Sequence, residues 1–206
     1  MPEGDAVWRT ARRLSELDGR TLVRSDFRVP QHATADLAGG RVVETISRGK
    51  HLLTRIDLPD EAVTLHTHLK MEGSWRVFRR GQRWTKPGHL ARVVLDAGEL
   101  SAVGFQLGLV ELVPRHREAD VVGHLGPDLL GADWDEVEAV RRLTSDPTRP
   151  LGEALLDQRN LAGLGTIYRT ELCFLTGYDP RSPVAAVADP LRMVRLARML
   201  LEQNRE

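Results

Sequence analysis

The apolar residues of this chain change their period once, near Pro114, and that change limits the fold more than any other feature. Upstream lie the short runs Thr21–Val29, Val42–Ile46, Leu52–Ile56, Val63–His68, Ser74–Phe78, Ala91–Leu95, Leu100–Val103 and Leu109–Val113, often alternating and punctuated by Gly, Pro and Asp. Alternation buries one face of a strand, and several short runs between turn residues predict an antiparallel sandwich or barrel. Downstream the period is helical. Trp134, Val137, Val140 and Leu143 mark a helix over Trp134–Leu143, stopped by Pro147 and Pro150. Leu151–Arg159 reads as a short helix, Asn160–Gly163 as a turn, Leu164–Leu175 as a second helix ending at Gly177, and Pro190–Asn204 as the last. Residues 4–17 also carry helical spacing (Val7, Ala11, Leu14, Leu17), with Asp5 as a candidate N-cap and Gly19 just past the end. The expected class is α+β: an N-terminal helix plus an antiparallel β-sandwich over 1–114, then a helical lobe over 125–206. The stretch between them is expected to act as a hinge.

Composition removes several functions. No run of eighteen apolar residues exists, so no membrane-spanning helix is expected. The opening Met1-Pro-Glu-Gly-Asp5 is acidic, and Arg9, Arg12 and Arg13 interrupt any apolar core of a signal peptide. The single cysteine, Cys173, excludes an internal disulfide and a multi-cysteine zinc site, and a cytoplasmic location follows. Twenty-nine basic residues balance twenty-nine acids, which taken alone argues against a nucleic-acid binder. The distribution is uneven, however. Residues 66–92 hold seven basic side chains against one acid, whereas 115–146 hold eight acids against four arginines. Solvated surface is one reading of both runs, and of Arg192, Arg195 and Arg198 between the apolar positions of the last helix.

Four pieces of the chain can carry chemistry. Trimming of Met1 would leave Pro2 with a secondary amine able to attack an electrophilic carbon and form an iminium, and Glu3 beside it could shuttle protons. The same three residues open many chains that do nothing of the kind. Ser47-Arg-Gly-Lys-His51, between two strands, is either a phosphate-meeting turn or a solvated hairpin tip. In His66-Thr-His-Leu-Lys-Met-Glu-Gly73 the two histidines share a strand face, but no third ligand is near and a metal is rejected. Met71 is either an exposed wedge between bases or a core residue. Finally, Leu155–Glu171 reads as helix, glycine-bearing turn and helix, with backbone N–H groups at the mouth of the second helix offered to a phosphate. It is not a dinucleotide fingerprint, because Tyr168 stands where a third glycine should be.

The ordered set resembles the formamidopyrimidine-DNA glycosylase / endonuclease VIII family of base-excision repair enzymes. The resemblance rests on the Met1–Gly4 opening, the Ser47–Lys50 turn, the His68–Gly73 loop and the Leu156–Glu171 segment, and it spans essentially the whole chain. The opening and the Gly73–Val77 run look most like the endonuclease VIII-type branch of actinobacteria. The resemblance implies a helix–two-turns–helix in the second lobe, DNA in the cleft and a nucleotide flipped out of the duplex. It also implies Pro2 as nucleophile at C1′, Glu3 as the proton donor that opens the sugar, and Lys50 on the adjoining phosphate assisting β-elimination. Met71 would fill the gap left by the flipped base. His68, Lys70, His89, Arg159 and Thr166 would contact DNA.

Departures from the family pattern refine these expectations. The acidic residue after the opening falls at Ala6, and the asparagine that usually ends the glycine turn is Thr166. Anchored on Gly108, the arginine and phenylalanine of the 8-oxoguanine branch fall at Phe105 and Leu107, which argues against an 8-oxoguanine specialist. The family's four-ligand zinc finger has no counterpart before Glu206, so no cofactor is expected in this chain. The expected function is a bifunctional DNA glycosylase/AP lyase acting on oxidised bases, pyrimidines above all. It would work as a nucleoid-associated monomer on damaged double-stranded DNA. A non-catalytic protein that binds damaged DNA or abasic sites is the alternative. An RNA-binding helix–two-turns–helix protein would leave the first 114 residues without a role.

Overall fold

A computed structural model describes residues 2–205. The removal of Met1, on which the Pro2 chemistry depends, lies outside the described residues. Helix α1 (Gly4–Leu14) opens the chain and tightens into a short 3-10 turn at Ser15–Leu17. Its apolar residues Val7, Ala11, Leu14 and Leu17 are buried. Asp5 does not cap it: it sits inside the first turn, because the helix starts at Gly4.

All eight predicted strands form: β1 (Arg24–Phe27), β2 (Arg41–Arg48), β3 (His51–Asp57), β4 (Ala62–His68), β5 (Ser74–Arg79), β6 (Ala91–Ala97), β7 (Leu100–Phe105) and β8 (Leu109–Pro114). They make two four-stranded sheets, ordered β1-β6-β7-β5 and β2-β3-β4-β8. The pairings β1–β6, β3–β4, β4–β8, β5–β7 and β6–β7 are antiparallel. β4 is flanked on both sides, and every residue from Val63 to His68 is buried. The sheets meet through side chains such as Trp75, whose indole N–H donates to the Thr67 hydroxyl at 3.2 Å. A smaller apolar cluster (Phe78, Ala91, Val94, Val103 and Phe105, backed by Trp84 and Leu90) lies on the β1-β6-β7-β5 sheet.

Five helices follow: α2 (Glu118–Val122), α3 (Glu136–Leu143), α4 (Leu151–Leu156), α5 (Thr166–Thr176) and α6 (Pro190–Asn204). Local side-chain chemistry trims three of them against the periodicity. Asp135 takes the N–H groups of Val137 and Glu138, so α3 begins at Glu136 rather than Trp134. Asp157 accepts from the Arg159 backbone N–H, so α4 ends at Leu156 rather than Arg159. Gly165 is extended, so α5 starts two residues after Leu164. Gly177, at φ 75°, closes α5 as predicted. Leu143, Leu151, Leu155, Leu164, Leu172, Val194 and Leu201 fill the helical core.

In the acidic stretch Asp120, Asp133 and Asp135 are exposed, while Glu118 binds Arg55 and the Thr64 hydroxyl, Asp128 is buried, and Glu136 and Glu138 pair with Arg195, Arg141 and Arg142. On α6, Arg192 and Arg195 are exposed, as a solvated face requires, with Arg195 pairing with Glu136; Arg198 is half-buried, pairs with Glu202 and lies over the Trp134 ring.

Contacts divide the chain into two compact units. One takes Pro2, Arg9–Ser47 and His51–Val121; the other takes Glu3–Trp8, Arg48–Lys50 and everything from Val122 onward. Two pieces of the first fifty residues thus group with the helices. Among the described residues no helix is long and apolar enough to cross a membrane. The satellite cluster rests on Phe105, which is fully buried. Phe105→Ala should cost about 3–5 kcal/mol, read as a fall in urea midpoint at unchanged m-value.

Candidate active site and nucleic-acid surface

The positive end of α5 is already occupied, and by a side chain of this protein. Glu3 is buried, and its carboxylate accepts the Gly165 N–H at 2.8 Å, the Ile167 N–H at 2.7 Å and the Tyr168 N–H at 3.5 Å. A helix N-terminus leaves its first N–H groups unpaired and carries partial positive charge, so a carboxylate there satisfies both demands. The backbone amides read from sequence as a phosphate cradle therefore hold Glu3 instead. Gly165 is required sterically: a Cβ there would lie 2.5 Å from the Glu3 carboxyl carbon. Gly4 N–H donates to Gly163 O at 2.9 Å, and Gly163 adopts φ 100°, so the first residues of the chain are fastened to the glycine turn by backbone as well. Pro2, half-buried, directly precedes this anchor.

Lys50 belongs to the same unit. It is not at a solvated hairpin tip, since its side chain is buried. Burial pushes its ammonium below the usual lysine range, while the Glu3 carboxylate pulls in the opposite direction. The turn that carries it is held by a residue the sequence reading missed. Asp128 is buried and accepts from Gly49 N–H at 2.7 Å and Leu130 N–H at 3.0 Å. Gly49 sits at φ 57°, with Ala162 against the place a Cβ would occupy. Arg48 pairs with Asp133 at 2.9 Å and so is spent on structure. Gln158 completes the frame by accepting from Gly163 N–H and donating to Leu156 O and Leu164 O. Asp128 lay in a run that looked like generic acid, and Gln158 in a segment read only for its glycines. No local pattern marks either one.

The other predicted DNA contacts separate into three groups. His68, Lys70 and Met71 share the β4–β5 turn. Met71 is 70% exposed, as a wedge must be and a core methionine would not be. Lys70 holds φ 53°, and its side chain packs where a Gly108 Cβ would stand, which couples this turn to the β7–β8 turn. His68 is buried, with its Nδ1 accepting the Lys70 N–H. His89 stands exposed on a separate 3-10 turn. Thr166 is exposed at the first position of α5. Arg159 is exposed but already bidentate on Asp157, at 2.9 and 2.7 Å, so a phosphate would have to displace that carboxylate. Phe105 and Leu107, aligned to a base-reading arginine and wedge, are both core residues. The residue presented between them is Gln106, at φ 49°, donating to Glu72 at 3.0 Å and accepting from Lys86 at 3.3 Å. A non-glycine residue at positive φ beside Met71 is backbone strain of the kind that collects at binding loops. His66 and His51 hydrogen-bond each other at 2.7 Å, and His66 contacts Glu111 at 2.8 Å. Among the described residues no cluster of His, Cys, Asp and Glu suits a metal ion.

Asp128→Ala should strand two buried N–H groups and cost about 2–4 kcal/mol in chemical denaturation. Asp128→Asn, which keeps one acceptor oxygen, should cost less than half of that.

Comparison with known proteins gives the family and the fold. Residues 1–106 match the model of the formamidopyrimidine-DNA glycosylase N-terminal domain. The chain is 53% identical to "Probable endonuclease 8 2" of Streptomyces coelicolor, over the whole of this chain and 75% of that protein. It is 48% identical to "DNA-(apurinic or apyrimidinic site) lyase Nei2" of Mycolicibacterium smegmatis, over the whole of this chain and 79% of the relative. A crystal structure of Lactococcus lactis Fpg (MutM) in complex with DNA containing N7-benzyl-Fapy-dG superposes with a TM-score of 0.80 at 20% identity, covering 99% of this chain and 79% of that one, which shows a shared fold. The chain belongs to the formamidopyrimidine-DNA glycosylase / endonuclease VIII family, alongside endonuclease 8 2 proteins of actinobacteria.

Proposed function

We propose that this protein is a bifunctional DNA glycosylase/AP lyase of base-excision repair, working through the amine of Pro2 on oxidised bases, pyrimidines above all. The observation that carries the proposal is the fastening of Glu3 to the start of α5 in the unit that also buries Lys50. It holds the residue that follows Pro2 rigidly beside a lysine whose proton is loosened by burial. In the reaction, the Pro2 nitrogen forms a bond to C1′ of a flipped nucleotide and the glycosidic bond breaks, with the base leaving as it gains a proton. A proton delivered through Glu3 lets the sugar ring oxygen leave C1′, and an iminium results. The iminium acidifies the C2′ proton. Its loss expels the 3′-phosphate, and water then frees the aldehyde and restores Pro2. Lys50 holds the neighbouring phosphate and assists that elimination. Exposed Met71 fills the vacated stack, while His68, Lys70, His89 and Thr166 hold the backbone. Arg159 joins them by exchanging Asp157 for phosphate. Gln106 takes the place facing the orphan base, one residue on from Phe105, where anchoring on Gly108 puts the arginine of the 8-oxoguanine branch.

Borohydride trapping on a duplex carrying 5-hydroxycytosine or thymine glycol should give a covalent adduct with the wild-type chain and only background with Pro2→Gly. Retention of Met1 in the intact mass, together with lesion binding and no adduct, would instead make the protein a non-catalytic damage binder. Lys50→Gln should slow strand scission by about 10²-fold with a smaller change in lesion binding. Gln106→Ala should narrow the ratio of excision rates between different opposing bases by about tenfold and leave the rate on the best pair close to wild type.

A further inference from the structure

At least half of the arginines of this chain have an acidic partner, and four of those without one lie along a single ribbon. Arg76, Arg79, Arg80 and Arg83 are all exposed, and none lies within ion-pair distance of a carboxylate among the described residues. Arg24 and Arg28, by contrast, are tied to Asp26 and Asp96. In a protein of zero net charge, leaving four guanidiniums unmatched within residues 76–83 concentrates positive potential along β5 and the segment that follows it.

The strip has a direction. β5 begins three residues after Met71 and ends at Arg79, a run of roughly 17 Å at about 3.4 Å per residue. Trp75 points into the sandwich, so Arg76 and Phe78, one and three residues on, take the opposite face of β5, where Phe78 is buried in the satellite cluster. From Arg80 the chain folds back across that face. Trp84 meets Phe105 edge-on at 5.8 Å and lies under Arg28 at 5.6 Å. Two residues on, Lys86 reaches Gln106, which in turn binds Glu72 beside Met71. One end of the ribbon therefore touches the base-reading turns. The other end opens into a groove of about 540 Å³ lined by Arg24, Arg28, Arg79, Arg80, Trp84 and Asp96. Within it Arg24 and Arg28 brace the wall, while Arg79 and Arg80 bring uncommitted charge.

We propose that this ribbon is a second phosphodiester-backbone site, which holds the duplex continuing about 5 base pairs beyond the segment read at Met71. The proposal rests on the function given above. Spaced, exposed guanidiniums in an open groove suit repeating phosphates of one backbone, and continuity with the Met71 and Gln106 turns favours the same duplex over any other polyanion.

The test compares the wild-type chain with the R79Q/R80Q/R83Q variant on duplexes of about 9 and about 25 base pairs, each with a central abasic-site analogue, and on the longer duplex without the lesion. On the long duplexes the variant's plot of log affinity against log salt should be flatter by about 2.7, near 0.9 for each lost phosphate contact. On the short duplex the two proteins should bind alike. Parallel salt slopes on the long duplexes, or an equal loss on the short one, overturn the proposal. So does restoration of the long-duplex advantage by a second, undamaged duplex added to the short complex, or an effect seen only when polyglutamate is the competitor. Failure to prefer abasic over undamaged DNA would count against the proposed function instead, and the salt slopes on undamaged duplex would still judge the ribbon.

Discussion

The bond on which this structure depends is that between the Glu3 carboxylate and the exposed amides at the start of α5. An unpaired helix N-terminus is an anion site by construction. By supplying the anion from its third residue, the chain converts a generic phosphate cradle into a clamp on its own opening segment. The glycines around it follow from that clamp: Gly165 because the carboxylate lies where a side chain would be, and Gly163 because the chain must turn through φ 100° and pass within contact of Gly4. The conformational freedom that a chain end ordinarily keeps is thereby removed from the residue next to Pro2.

A second clamp operates on the Lys50 turn through Asp128. Burying a carboxylate is costly unless it is hydrogen-bonded, and Asp128 is compensated by two backbone N–H groups. The two clamps are alike in kind. Each uses a buried carboxylate to fix backbone amides of a glycine turn; in the first the carboxylate itself, Glu3, is proposed for the chemistry, and in the second the turn bears Lys50. Neither uses an arginine partner, so the basic side chains are free for other duties. Arg48 fastens to Asp133, whereas the Arg76–Arg83 ribbon keeps its charge for solvent or a ligand.

Much of this was legible before any coordinates. The change of period at Pro114, the eight strand runs and the αL glycine after α5 are local properties, dictated by side-chain alternation and by the steric freedom of glycine. Met71 stood open between wedge and core on its own residues, and only the resemblance to the family pointed to the exposed position it takes. Helix ends were less legible, because Asp135 and Asp157 compete for backbone N–H groups with the periodic pattern and win by two and three residues. Asp128, Gln158 and Gln106 were not legible at all. Their partners are Gly49, Gly163 and Glu72, which lie 79, 5 and 34 residues away, and the nearest of these is reached only after the turn has formed.

The amino-acid sequence by itself determined which segments extend as strands, which coil as helices, and the order of four short motifs specific enough to indicate a family. Those features rest on interactions between near neighbours, and near neighbours are written in the chain. What only tertiary structure decided is which anion sits at the mouth of α5, which carboxylate carries the Lys50 turn, and which arginines remain uncommitted. Each is a competition between distant groups for the same partner, and its outcome depends on distances that exist only after folding.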